Sequence, residues 1–490
     1  MAELRANRDG VEGADLVELR LDQVCDPDAA AALAGRRTPV VVTCRPAWEG
    51  GGFRGSEEER RGLLERALEL GAEYVDLEWR AGLDEVIRAR RGRNVVLSTH
   101  DFEHMPGDLT DRYRALRATG AEIVKIAARA CSLTETLALL EVGAGDPGRV
   151  LVAMGPAGAA SRVLPDRFGS AWTYAGDGVA PGQIDLRRML DEFRVRSVSD
   201  STRLYGVLGA PVGHSLSPAM HNAAFAAAGC DAVYLPLEAA SADDFWTFAR
   251  TMRLRGASVT APFKEAVVPG LAATDALVGQ VGAANTLRAG ARGWEGINTD
   301  VPGFLEPLAG RLELQGSRAT VLGAGGAARG VAVALAGAGA QVTVCARNTE
   351  RAAGVARVVG GRAGGLPPPA GSWDLLVNTT PVGTAPGVAD SPLPGGPFGG
   401  RLVYDLVYNP ATTRLLAEAS AAGCGVLSGL PMLVAQAVRQ FEWWTGTAAP
   451  RDVFAAAAQR RLAATEHQER RGTVGSPQAN AGGTGQSPSW

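Results

Sequence analysis

Over the first 195 residues, short apolar runs alternate with amphipathic stretches. The runs are 15–20 (DLVELR), 39–44 (PVVVTC), 73–78 (EYVDLE), 94–99 (NVVLST), 122–126 (EIVKI), 149–154 (RVLVAM) and 170–174 (SAWTY). Apolar runs of this length, rich in Val, Ile and Leu, predict buried strands. Helical segments lie between them. SEEERRGLLERALEL, 56–70, opens with a serine cap and an acidic first turn. Seven such βα units predict a (β/α)8-type barrel with its first strand missing, a doubly wound open sheet being the alternative. Residues 1–14 read as a helix running into DLVELRLD. An eight-stranded barrel needs one more strand, which implies a start codon upstream and a weakly stable barrel in the chain as given.

The polar stretch RVRSVSDSTR, 194–203, is expected to be a linker. A second α/β region begins at LYGVLGAPVG, 204–213, and 319–346 predict strand, Gly-rich turn, Ala-rich helix and strand. Gly/Pro-rich loops follow at 361–371 and 383–400, and helical periodicity returns at 430–444 and 450–464. The last residues lack periodicity and are expected to be disordered. The predicted organisation is a barrel over 1–196, an α/β domain over 203–302 completed by 430–464, a Rossmann-like nucleotide domain over 303–429, and a disordered tail over 466–490.

Composition narrows the function. Of 490 residues, 46% are hydrophobic and 21% charged, ordinary values for a globular protein. No apolar run is long enough for a membrane span, and the start carries no signal-peptide core. Six cysteines are scattered singly, so neither a metal site nor a disulfide framework is expected, and the cytoplasm fits best. A net charge of -3 argues against a nucleic-acid partner. Of the 49 basic residues only two, Lys125 and Lys264, are lysines. Where bias has otherwise converted lysine to arginine, a retained lysine marks a place where an amine is needed. An amine can lose its proton and attack a carbonyl; a guanidinium cannot.

Barrel chemistry sits at the C-terminal ends of the strands. Glu18, Arg20, Arg45 and His100 fall there, and Lys125 lies inside EIVKIA. Burial is expected to lower the Lys125 pKa and free its amine for a Schiff base. The iminium is an electron sink, and His100 has the pKa class of the base that removes the adjacent proton. Arg162 and Gln183, in later loops, suit an anionic, hydroxylated substrate. In the second half, Gly323, Gly325 and Ala328 satisfy G-x-G-x-x-G/A between a strand and a helix. The second strand ends in Ala346 and Arg347, with Arg351 one turn on and no acid, which favours the 2′-phosphate of NADP. Lys264 and Asp300 are candidates for exchanging a hydroxyl proton.

The motifs ADLVELRLD, TCRPAWEGG, STHDF, EIVKIA and FGSAWTY…APGQI, over 13–190, resemble the type I 3-dehydroquinate dehydratases. The resemblance implies Lys125 as the Schiff-base lysine, His100 as general base and then acid, and Glu49 as the carboxylate orienting it. It implies Arg162 as the substrate-carboxylate ligand, with Glu18, Arg20, Arg45 and Gln183 on hydroxyls and ring. Val179 stands where that family usually has serine, so one hydrogen bond from the lid loop is expected to be missing.

YGVLGAPVGHSLSPAMHNAAF, GASVTAPFK, VGAANTL, GINTD, VLGAGGAARG, VNTTPVGT, YDLVYNPATT and GLPMLVAQA, across 204–445, resemble shikimate dehydrogenase. This implies Ser215 and Ser217 on the substrate carboxylate, Thr260, Asn285 and Gln436 on its hydroxyls, and Lys264 with Asp300 as the catalytic pair. Tyr408 is a further substrate contact on the nicotinamide side. The implied cofactor residues are Gly323, Ala324, Gly325, Gly326, Ala327, Ala346, Arg347, Asn348, Arg351, Asn378, Thr379, Gly429 and Met432. Ser258 replaces a frequent Asn, expected to be structural. Ala346-Arg347-Asn348 replaces NRT, which is expected to weaken NADP binding.

The whole chain thus resembles the bifunctional dehydratase/dehydrogenases of aromatic biosynthesis, with 3-dehydroquinate, 3-dehydroshikimate and shikimate as small-molecule partners. A sensor retaining both folds without catalysis would not need lysine at either position. An NAD-linked quinate dehydrogenase is the other alternative, against which Ser215, Ser217 and Arg347 argue.

Overall fold

The computed structural model describes residues 1–176 and 182–474, with side chains to 465. The first six apolar runs form parallel strands paired in chain order: β1 (Val17–Arg20), β2 (Val40–Thr43), β3 (Tyr74–Glu78), β4 (Val95–Asp101), β5 (Ile123–Arg129) and β6 (Arg149–Met154). Alternate side chains of a strand face opposite sides of the sheet. On one side Val40, Val42, Val75, Leu77, Val95, Leu97, Val124, Ile126 and Leu151 are buried with Leu64 and Leu68 of the helix Glu57–Glu69. On the other, Val96, Ile123, Ala127, Val150, Val152 and Met154 pack together with Tyr74, Trp172 and Tyr174. Burial on both sides is the signature of a curled parallel sheet covered by helices. The helix begins as its sequence predicts: Ser56 and Glu59 form a reciprocal capping box.

The seventh run is not a strand. Ala171 N–H donates to Arg149 C=O at 2.8 Å, but the Leu151 N–H donates to the Ser170 Oγ at 2.9 Å instead of extending a ladder. A side chain has taken the amide that the strand partner needed, and residues 170–174 stay irregular.

A mixed second sheet is built from β7 (Arg203–Gly209), β8 (Ala232–Glu238), β9 (Gly256–Val259), β10 (Ala273–Thr274), β11 (Thr286–Gly290) and β12 (Gly293–Ile297), in the order β10-β12-β11-β9-β7-β8. The third sheet is all parallel: β13 (Arg318–Leu322), β14 (Gln341–Cys345), β15 (Arg362–Gly364), β16 (Leu375–Asn378), β17 (Leu402–Asp405) and β18 (Gly425–Leu427), in the order β15-β14-β13-β16-β17-β18. That order, with helices between strands, is the doubly wound nucleotide-binding topology. The short β15 falls in a segment expected to be loop.

By contacts the chain divides into two compact units. Met1–Thr299 with Arg439–Ala449 form one, and Asp300–Val438 with 450–474 form the other. The expected boundary at 196–203 is bridged by a continuous core in which Leu133, Val163, Phe168 and Phe193 share one cluster with Leu235, Phe245 and Phe248. Arg167 donates to the carbonyls of Asp200, Thr202 and Met252 at 2.9, 2.6 and 3.1 Å, so the presumed linker is held in place. The segment expected to complete the substrate domain is also divided. Trp444 Nε1 donates to Leu287 C=O at 2.9 Å within the first unit, whereas Arg451 pairs with Glu306 at 2.5 Å within the second. The last helix runs from Arg451 to Val474, past the expected start of the tail at 466; 475–490 lie outside the described residues.

Asp244 joins the two halves of the first unit. Its carboxylate accepts from the backbone N–H of Leu133 at 3.0 Å, Thr134 at 2.7 Å and Ala240 at 2.9 Å. Asp244→Ala leaves these buried donors unpaired, and a loss of about 1–3 kcal/mol is expected. Denaturant unfolding followed in parallel by circular dichroism and tryptophan fluorescence checks this; an unchanged midpoint would show that the contact does not hold the halves together.

Candidate active site

Strand alternation sends Asp76 and Glu78 of β3, Ser98 and His100 of β4 and Lys125 of β5 to the inner face. β4 and β5 are in register, Ser98 opposite Lys125 and His100 opposite Ala127. Glu49 reaches the same place through a tight return of the chain after β2. Phe53 N–H donates to Arg45 C=O at 3.1 Å, and a Cβ on Gly51 would lie 2.0 Å from that carbonyl oxygen, so the turn accepts only glycine there. Glu49 Oε1 then accepts from the His100 backbone N–H at 3.0 Å and contacts His100 Nδ1 at 2.9 Å.

Burial first, then Arg45 and Lys125, hold the His100 pKa well below its usual value. The ring is therefore neutral near pH 7, and because Nδ1 donates to Glu49, Nε2 is left as the proton acceptor. Burial pushes the Glu49 carboxyl up to about 7. Its Oε2 is buried, with no hydrogen-bond partner among the described residues.

Lys125 is buried, but it is not the depressed lysine expected from burial alone. Burial lowers its pKa, yet the Asp76 carboxylate, 3.0 Å from Nζ, more than offsets this and raises it above the usual lysine value. The Tyr174 ring lies 4.5 Å from the same ammonium. Arg45 donates to Glu78 at 2.7 Å and Ser98 at 3.0 Å and stands 3.1 Å from Asp76. Fully buried Arg60, from the helix Glu57–Glu69, pairs with Glu78 and with Glu57. Sequence reasoning missed Asp76, Glu78, Ser98, Arg60 and Tyr174. One available signal was EYVDLE, in which two acids sit at alternate positions of a strand, as Lys125 does in its own.

The remaining barrel candidates divide. Glu18 accepts from Thr43 Oγ1 at 2.6 Å on the inner face. Arg20 is engaged elsewhere: both arms of its fork bind Asp22 at 2.8 Å. Arg162 is 2% exposed, and burial pushes its pKa down to about 10, an environment that favours an incoming anion. Gln183 is half-buried, its amide against Gly176. Val179 lies outside the described residues.

Elsewhere in the first unit, Ser215 Oγ accepts from the Ser217 N–H at 3.2 Å at the start of the helix Ser217–Ala227. Thr260 and half-buried Lys264 follow β9, where Lys264 C=O accepts from Ala284 N–H at 2.9 Å. Asn285 donates to Thr299 Oγ1 at 3.0 Å and accepts from the Thr299 N–H at 2.7 Å, which orients its amide. Ser258 hydrogen-bonds the Tyr234 hydroxyl in the interior, the structural part expected of it. Asp300, the other member of the implied catalytic pair, opens the second unit, which also holds Gln436.

In the second unit the turn after β13 is built for close approach. Gly323 has φ +113°, and a Cβ there would meet Thr379 Oγ1 at 2.6 Å. Ala324 leads to Gly325, where the helix Gly326–Gly337 starts without a side-chain cap, leaving its first N–H groups, Ala327 among them, for an anion. Gly325 and Gly326 face open space. Past Ala346, Arg347 and Arg351 are exposed, and among the described residues neither pairs with a carboxylate. Asn348 caps the next helix by accepting from the Arg351 N–H at 2.9 Å. The Asn378 amide is bound within the fold, donating to Asp405 at 2.8 Å and accepting from Thr380 Oγ1 at 2.7 Å, while Thr379 Oγ1 donates to Leu322 C=O at 2.6 Å. Tyr408 and Met432 are half-buried, and Gly429 fits where a Cβ would lie 2.1 Å from Leu406 O.

Comparison with known proteins gives a consistent result. Residues 2–200 match the type I 3-dehydroquinase family, 207–287 the shikimate dehydrogenase substrate-binding domain, and 429–459 the shikimate 5′-dehydrogenase C-terminal domain. A shikimate dehydrogenase (NADP(+)) of Moorella thermoacetica is 47% identical over 272 residues, covering 52% of this chain and 91% of that protein. A crystal structure of a shikimate dehydrogenase in complex with NADP+ superimposes with a TM-score of 0.51 at 30% identity, over 54% of this chain and 97% of that one. The chloroplastic bifunctional 3-dehydroquinate dehydratase/shikimate dehydrogenase of Arabidopsis thaliana is 34% identical over 481 residues, 90% of this chain and 79% of that protein. A dehydratase barrel and a dehydrogenase, joined in one chain in the same order, place this protein in the bifunctional 3-dehydroquinate dehydratase/shikimate dehydrogenase family.

Proposed function

We propose that the chain dehydrates 3-dehydroquinate to 3-dehydroshikimate on Lys125 and reduces that product to shikimate with NADPH. The observation that carries the first step is Lys125 and His100 on one inner face of adjacent strands, with Glu49 on the histidine. The amine adds to the substrate ketone, and two of the three ammonium protons leave with the carbonyl oxygen as water. His100 Nε2 removes the proton next to the iminium carbon and returns it to the departing hydroxyl. Hydrolysis releases the enone. Buried Arg162 holds the substrate carboxylate, and Glu18, Arg45 and Gln183 line the remainder. Arg20 takes part only through Asp22 or by exchanging that partner.

The residues after β13 fit NADP: a turn that admits only glycine, an uncapped helix start, and two arginines with no carboxylate partner among the described residues. NADPH supplies the hydride when bound. Lys264, with Asp300, gives the proton to the oxygen that becomes the hydroxyl. Ser215, Ser217, Thr260, Asn285, Gln436 and Tyr408 hold the substrate, while Gly429 and Met432 shape the nicotinamide side with the turn that Asn378 and Thr379 order. The substrates are small molecules. No described helix is long and apolar enough to cross a membrane, and all six cysteines are free thiols, which supports a reducing, cytoplasmic setting.

The test is enone absorbance from 3-dehydroquinate, followed by a comparison of shikimate and quinate with NADP and NAD. Shikimate with NADP is expected to give the highest kcat/KM. Arg347→Ala is expected to raise the KM for NADP about 10–100-fold and to leave that for NAD unchanged, the cost of one charge-assisted phosphate contact. Equal effects on both cofactors would show that Arg347 does not read the phosphate.

A further inference from the structure

Four carboxylates face the inner side of the barrel sheet, and among the described residues only one hydrogen-bonds the lysine. Glu18 accepts from Thr43, Glu49 serves His100, and Glu78 lies between Arg45 and Arg60. Asp76 accepts from Lys125 Nζ at 3.0 Å. It is itself fastened: Ser98 Oγ donates to its Oδ1 at 2.5 Å, and Arg45 Nη2 stands 3.1 Å from its Oδ2. Asp76 is fully buried.

We propose that Asp76 is a positioning residue for dehydration, the fixed counter-ion of the Lys125 nitrogen from ammonium through iminium. This rests on the reading that Lys125 forms the imine. Charge balance makes the role continuous. An ammonium and a ketone give an iminium and water, so the nitrogen carries one positive charge before and after, and a carboxylate 3.0 Å away serves both states. Only the protonated imine is an effective electron sink for removing the neighbouring proton. Without a counter-ion, burial and the nearby guanidinium of Arg45 would strip that proton, because both disfavour a second cation. The other groups acting on the nitrogen are Tyr174, Glu18, Arg45 and His100, and among the described residues none of them hydrogen-bonds it.

The test is reductive trapping with cyanoborohydride, which reduces iminium but not neutral imine, in the full-length chain with 3-dehydroquinate. Wild-type adduct yield on the Lys125 peptide is expected to be flat from about pH 6 to about pH 9. In Asp76→Asn the yield is expected to fall at least about tenfold over the same span, as the iminium proton is lost one decade per pH unit. Asp76→Glu should restore the flat profile, and Ser98→Ala, which only loosens the acid, should show a smaller fall in the same direction. Shikimate oxidation by the same preparations reports folding of the unit. If Asp76→Asn does not fold, Ser98→Ala decides. A wild-type adduct together with a flat profile in the folded variant overturns the counter-ion; absence of the wild-type adduct overturns the imine reading itself.

Discussion

Lys125→Arg is expected to lower dehydration by about 10⁴-fold or more while shikimate oxidation stays within about twofold. Arginine keeps the positive charge beside Asp76, 3.0 Å from the lysine nitrogen in the native chain, so the buried carboxylate is not left unpaired. Lys125→Ala would confound chemistry with stability, since removing one partner of a buried ion pair costs about 3–5 kcal/mol. What the guanidinium cannot do is give up a proton and add to a ketone. Borohydride with 3-dehydroquinate should add ligand mass to the Lys125 peptide of the native chain and none to the variant. Residual dehydration above about 1% in Lys125→Arg would require catalysis without a covalent intermediate, and would end the Schiff-base mechanism.

For the other lysine the expected result is the reverse. Lys264→Ala should reduce shikimate oxidation by about 10²–10⁴-fold, the usual contribution of a positioned acid–base group, and leave dehydration untouched. Lys264 is half-buried in the loop after β9 and its backbone carbonyl is bonded to Ala284, so the substitution removes an amine without dismantling the turn. The loss should fall on kcat rather than on the KM for NADP. Asp300→Asn should lose a comparable amount. The double variant should be little worse than either single one, because groups that act as a unit are not additive. Multiplicative losses would show that the two act independently, and a loss confined to KM would make Lys264 a binding residue.

Much of this protein is legible without coordinates because the informative signals are local. Apolar runs at 39–44, 73–78, 94–99, 122–126 and 149–154 place five strands within a residue or so, except that β4 and β5 run further, to Asp101 and Arg129. Ser56 with Glu59 starts a helix where the capping pattern says it should. Gly323 is required by a backbone turn that its own motif encodes. The scarcity of lysine singles out two positions before any motif is considered, because arginine substitutes for charge but not for nucleophilicity.

Only the tertiary structure decided what stands across from each of these groups. Asp76 is 49 residues from Lys125 in sequence, Glu78 is 33 from Arg45, and Glu49 is 51 from His100. Alternation assigns a side chain to a face but does not name its neighbour. The charge state of Lys125 therefore came out opposite to expectation: burial is a local inference, while the outcome depended on a carboxylate from another strand. The same reason explains why the Arg20 fork is engaged by Asp22, and why Ser170 ends a predicted strand by taking the Leu151 amide. It also explains how the dehydratase half and β7–β12 pack into one compact unit, through Asp244, Arg167 and a shared core. The sequence determined strands, caps, turns and the two amines, because each depends on residues a few positions apart. Packing determined partners, protonation and domain boundaries, because each depends on groups that the chain brings together only once it is folded.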